Sequence, residues 1–307
     1  MNLFRFAVAT TLATFLLLLV GGTVNPAGAS LACPDWPLCY GSLFPEMKNG
    51  VQFEHTHRLV ATAVGLMTIV LAVWIWRSRP RLRLLGVLAL VGVVLQGVLG
   101  GVTVLLRLPL AVSTAHLALS MLFFGLLIYL CFRLWPGAER ESRGPTMHRG
   151  LVGLGVALVY VQILLGALVR HTGAGRVCGT DFLLCGGAAW PEFHPAQMHM
   201  IHRFFGYAVF VFVILVSVAA LRQARRHGRR LTRFAALAAP SVALLQVILG
   251  MLTVATGVGV PAATAHLGGG ALLLATMLVT FLSMGPEREA LQPEIDRERQ
   301  PAAQGAA

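Results

Sequence analysis

The sequence is poor in charge. Only 12% of its 307 residues are Asp, Glu, Lys or Arg, about half the ~25% usual for soluble domains. So little charge cannot cover a water-soluble globule of this length, and that class is excluded. Cysteine is sparse too, five in the whole chain, too few for a small scaffold built from disulfides. Acids are outnumbered, 12 against 24 basic residues, and the net charge of +12 raises the question of a nucleic-acid partner. What the chain has in abundance is apolar sequence, 57% of its residues, which excludes disorder. An integral membrane protein remains.

Eight stretches, near 5–24, 55–76, 84–106, 111–133, 150–170, 201–221, 232–254 and 263–284, reach the roughly 20 apolar residues that a membrane helix needs. They do not alternate in polarity, so a β-barrel is excluded, and backbone groups in lipid must be satisfied within each segment. With the N-terminus inside, 18 basic residues fall on the inner side and six on the outer: Lys48, Arg58, Arg107, Arg170, Arg176 and Arg203. The inner excess places both termini in the cytoplasm. The basic charge is therefore a topology signal and a surface for anionic lipid, not for nucleic acid. Ala27-Gly28-Ala29-Ser30 looks like a signal-peptide cleavage site, but the repeat described next predicts that the first span is kept. The segment 286–307 reads as a disordered cytoplasmic tail.

The second half repeats the first. At an offset of 145, Gly28 falls on Gly173, Cys33 on Cys178, Gln52 on Gln197, and His57-Arg58 on His202-Arg203. At an offset of 150, Gln96 falls on Gln246, Gly100 on Gly250, and Thr114-Ala115-His116 on Thr264-Ala265-His266. Each half holds four spans, an even number, so the halves run parallel about an axis along the membrane normal. The predicted fold is all-α, two tandem four-helix bundles over residues 1–140 and 141–285.

His57, His116, His202 and His266 each begin a span at the outer face, so all four share a depth. Two imidazoles at one depth across a bundle are what a six-coordinate haem iron requires. An isolated histidine in a span often only hydrogen-bonds a neighbouring helix, but two duplicated pairs favour haem. Zinc fits less well, because no Cys or carboxylate accompanies His116 or His266. Glu54 precedes His57 by three residues and shares its helix face, whereas the aligned residue in the second half is His199. Beside a haem edge a carboxylate moves protons or stabilises charge; the plainer reading is an acid favoured by a helix N-terminus. Arg58 and Arg203 suit haem propionates as planar forks, or else snorkel to the outer headgroups. Cys33 with Cys39, and Cys178 with Cys185, fall in matching outer loops on the oxidising side. Each pair reads as a short disulfide that stiffens a lid, with a redox role as the sharper alternative.

The four-plus-four duplication, Glu54-His55-Thr56-His57-Arg58, Thr114-Ala115-His116, His199-Met200-Ile201-His202-Arg203, Thr264-Ala265-His266 and the paired loop cysteines together resemble the haem A synthase family. The resemblance runs from about residue 5 to 284. It implies oxidation of the C8 methyl of haem O to a formyl group through a hydroxymethyl intermediate. It implies a haem b cofactor on His202 and His266 in the second half, which passes electrons. Substrate haem is then taken between His57 and His116, with Glu54 as the catalytic acid. The implied partners are the haem O synthase (a farnesyltransferase) and an electron donor such as a quinol or ferredoxin. Two rivals stay open: a bis-haem cytochrome b for quinone-linked electron transfer, and a transporter. The polar pairs cluster at one face and no charged residue marks the midplane, which speaks against the transporter.

Overall fold

Long apolar runs without strand-like alternation can satisfy their backbone in lipid only as helices, and that is what they form. The structure, a computed structural model, describes residues 2–141 and 148–284; the tail predicted for 286–307 lies outside the described residues. Eight long helices follow one another: α1 (Leu3–Val24), α2 (Val51–Ser78), α3 (Arg83–Leu105), α4 (Leu110–Leu134), α5 (Arg149–His171), α6 (His194–Arg226), α7 (Arg230–Ala255) and α8 (Val260–Ser283). All eight are long and apolar enough to cross a membrane, and each coincides with a predicted span. The largest departure is at α6, which begins seven residues before the apolar run. Its first turns, His194 to Met200, are polar enough to escape a hydropathy reading, yet Pro195 sits in the first turn, where its missing N–H costs nothing.

Helix adjacencies repeat between the halves. In the first, α1 packs on α2, α2 on α3, α3 on α4, and α4 returns to α1; α5 to α8 do the same. The halves meet through α1 on α8, α4 on α5, and α4 on α8. The contacts there come in matched pairs. The Tyr160 hydroxyl of α5 donates to the Ala118 carbonyl of α4 at 3.2 Å. At the corresponding place Phe15 of α1 lies against Gly268 of α8, 3.8 Å from where a Cβ would stand. α3 buries only Gly86, Ala89 and Gly101, and its Leu84, Leu88, Val91, Val94 and Val98 are exposed, the face of a helix turned to lipid.

The loops that carry the paired cysteines also repeat. Disulfides join Cys33 to Cys39 and Cys178 to Cys185, and a single β-bridge follows each, Cys39 with Ser42 and Cys185 with Ala188. Inside each loop an aspartate caps backbone N–H groups: Asp35 accepts from Tyr40 and Gly41, Asp181 from Leu183, Leu184 and Gly187. These bonds, first those from Gly41 and Leu184 respectively, hold both carboxyls below the usual aspartate range.

Candidate functional site

Each of the four histidines lies within the first nine residues of its helix. His57, His116 and His266 are each the seventh residue of α2, α4 and α8, and His202 is the ninth of α6. Each ring lies with its Cε1 edge on a glycine of the preceding helix. A Cβ on Gly21 would stand 2.8 Å from His57 Cε1, on Gly100 3.4 Å from His116, on Gly166 3.0 Å from His202, and on Gly250 3.1 Å from His266. A side chain at Gly21 would displace the His57 imidazole and one at Gly166 would press on His202, so glycine is what allows helix and ring to approach this closely. A glutamine adds a second hold. Gln96 Nε2 donates to the His116 carbonyl at 3.0 Å and Gln246 to the His266 carbonyl at 2.9 Å. Gln162 donates to the His202 carbonyl at 2.9 Å and meets its Nδ1 at 3.1 Å. The Nδ1 atoms of His57, His116 and His266 are buried with no protein partner.

In the second half, the His202 and His266 ring centroids stand 6.3 Å apart with their planes at 89°. A metal held by one nitrogen of each ring at the ~2 Å usual for imidazole ligation would lie about 3 Å from each centroid, so the separation of the pair would allow His202 and His266 to hold one ion together. Around it lies a cavity of about 480 Å³, a size suited to an organic cofactor. Its wall includes Phe210, Leu273, Gly166, Gly206, Gly250 and Gly270, with Asn25, Pro26 and Leu117 reaching in from the first half. Two imidazoles at this separation, in a largely apolar hollow with glycines in its wall, would suit a flat macrocycle that carries a metal.

Glu54 is buried, 4% exposed. One carboxylate oxygen accepts the Cys33 N–H at 2.9 Å and the other pairs with Arg58 at 2.6 Å. Arg58 also donates to the carbonyls of Asp35, Leu38 and Cys33. Arg203 donates to the carbonyls of Leu184 and Asp181 at 2.8 and 2.9 Å and lines the cavity. Both arginines thus tie their loops to the helix that bears the histidine. His55 Nε2 bonds the Leu43 carbonyl of the same loop at 3.0 Å. Over the first site, Trp36 of the disulfide loop lies on Gly101, where a Cβ would be 2.7 Å from the indole. The corresponding pair, Phe182 and Met251, both line the cavity around His202 and His266, called the second cavity after its half of the chain.

Sequence reading named the histidines, Glu54, the arginines and the cysteines, and the structure brings those of each half together at the helix ends beside the disulfide loops. It missed Gly21 and Gly166, Gln162, Arg170, Trp36 and the two loop aspartates. Gly21 and Gly166 stand at the same offset of 145 as the histidines they support, so that signal was available.

A family model described as COX15-CtaA, cytochrome oxidase assembly protein, matches residues 4–278. Similar proteins include the heme A synthase of Lysinibacillus sphaericus, 30% identical over 275 residues, 85% of this chain and 88% of the relative. The heme A synthase of Geobacillus kaustophilus is 30% identical over 276 residues, 85% and 84% of the two chains. That of Halalkalibacterium halodurans is 27% identical over 289 residues, 91% and 92%. With a match that spans all eight helices short of the last turn of α8, the chain belongs to the COX15-CtaA family of cytochrome oxidase assembly proteins.

Proposed function

We propose that the protein is a haem A synthase that converts haem O to haem A in the membrane, with its two halves dividing the work. In this reading residues 141–285 hold a haem b through His202 and His266, and residues 1–140 take the substrate haem between His57 and His116. Both termini face the cytoplasm and both sites lie near the extracytoplasmic face, as the inner excess of arginine favours. The carrying observation is a duplicated frame with a chemical difference beside the histidines: both halves set histidines on glycine, but a buried carboxylate, Glu54, stands three residues before His57 where the second half has His199.

The haem iron supplies the oxidising chemistry when bound; this chain's residues position and protect. Gly21 and Gly100 fix the two imidazoles, which set the substrate's height and tilt. Trp36 and the Cys33–Cys39 loop shield the outer side from bulk water. Glu54 would take up a proton given off at the C8 carbon, while the oxygen atom and the oxidant for the methyl-to-formyl conversion come from outside this chain. Its two oxygens each receive one hydrogen bond, and a carboxylate has about four acceptor positions, so capacity remains. Arg58 spends its Nη hydrogens on Glu54 and loop carbonyls. It acts as a positioning residue for the carboxylate rather than as an anchor for a propionate.

The test is expression with a haem O source, followed by haem extraction and mass spectrometry. Hydroxymethyl and formyl products are expected. Haem bound at both sites with no change of mass would replace the synthase reading with a bis-haem cytochrome b.

A further inference from the structure

The wall of the second cavity carries three guanidinium groups, Arg170, Arg176 and Arg203, and among its described residues no Asp or Glu. An apolar hollow with a basic wall selects an occupant with an apolar body and acidic side groups. The three arginines are not equivalent. Arg203 is engaged by loop carbonyls, and Arg176 is exposed. Arg170, the penultimate residue of α5, has one Nη on the Gly22 carbonyl of α1 at 3.2 Å, while its Nε is buried with no partner. A buried guanidinium N–H left without an acceptor is costly, and an anion in the cavity removes that cost. The position is also unrepeated: an offset of 145 places Asn25 opposite Arg170. Arg170 stands at the wall between the sites, since Gly22 follows the glycine that supports His57, and Leu117, beside His116, lines the same cavity.

We propose that Arg170 recognises a carboxylate on the macrocycle bound in the second cavity, and that its charge favours the reduced state of that haem. This rests on the haem reading above and assigns the residue that reads the ligand's acidic edge. The experiment uses the full chain purified from haem-starved cells, titrated with iron protoporphyrin IX and with its dimethyl ester, whose side groups are neutral. The unaltered protein is expected to prefer the diacid by about tenfold or more, equivalent to ~1.4 kcal/mol. Arg170→Met should bring that ratio close to one while ester binding stays at its original strength, which also certifies that the variant folds. Arg170→Lys should keep part of the preference. In the haem-loaded Met variant the midpoint potential should move negative. An undiminished ratio in Arg170→Met, or equal weakening of diacid and ester, would overturn the assignment. Failure of the unaltered protein to bind either porphyrin would remove the haem reading itself.

Discussion

Arg58 and Arg203 grip their loops at corresponding carbonyls, Asp35 and Leu38 in one half, Asp181 and Leu184 in the other. Beneath the guanidinium the halves part. In the first, Arg58 closes on a buried carboxylate that also holds the Cys33 N–H; in the second, His199 stands there and Arg203 faces a cavity. Around the rings the differences continue. His202 has Gln162 at its Nδ1, where the offset of 145 gives the first half Leu17; α8 presents Gly270 where α4 presents Ser120, to which Gln96 donates. One frame therefore carries two different surroundings for its histidines, a second with an open cavity and a first supplied with an acid.

The largest test of that division removes the acid. Glu54→Gln should lower conversion of haem O by about 10²- to 10⁴-fold, the usual worth of a proton-transferring group. The optical spectrum of the haem retained in the second half should not change. If the retained haem were lost in Glu54→Gln but kept in His202→Ala, the halves would be assigned the wrong way round.

The glycine supports offer a paired experiment. Gly21→Val forces the His57 ring from its place and Gly166→Val forces His202, each at an overpacking cost of ~1–3 kcal/mol. The first should weaken substrate binding about tenfold and leave the resident haem intact; the second should do the reverse. Equal effects of both variants on one haem would erase the distinction between the sites.

Removing the two arginines compares the loops. Arg58→Ala strands buried Glu54, a loss of about 3–5 kcal/mol, whereas Arg203→Ala gives up hydrogen bonds to carbonyls worth ~1.5–3 kcal/mol. Thermal unfolding should separate the two variants, with Arg58→Ala the less stable; the opposite order would show that Glu54 does not depend on Arg58.

The smallest effect is acid loosening of the loops. Asp35 and Asp181 have carboxyls held below their ordinary values by backbone N–H groups. Their contribution to loop order is complete above the unfolded value of about 3.9 and is lost as pH falls through the lower folded values. Trp36 fluorescence should report the first loop opening below about pH 4, and Asp35→Asn should flatten that response.

Much of this was legible before any coordinates. The spans were readable because lipid forbids half-measures: a segment is apolar for its whole crossing or it does not cross. The histidines and Glu54 stood out because polar residues are rare in such segments and their offsets are constant. The start of α6 was not readable, since His194 to Met200 form a helix outside the apolar stretch. Nor were the roles of Arg58 and Arg170, because a guanidinium reaches far and sequence does not say to which carbonyl. Arg170 counted only as one of six outer cations, yet it bridges from α5 to the Gly22 carbonyl, 148 residues away in the chain.

The contacts between the halves carry one more consequence. Tyr160 on Ala118 and Phe15 on Gly268 are one contact made twice with the partners exchanged, the pattern of an isologous interface between two copies of one subunit. An ancestral pair of identical four-helix subunits would have been bound to carry the same residue at both sites, acid with acid or imidazole with imidazole. Joining the copies into one polypeptide released that constraint. Glu54 and His199 stand at such a pair of positions, and in the proposed reading their difference is what lets one half keep a cofactor while the other turns over a substrate.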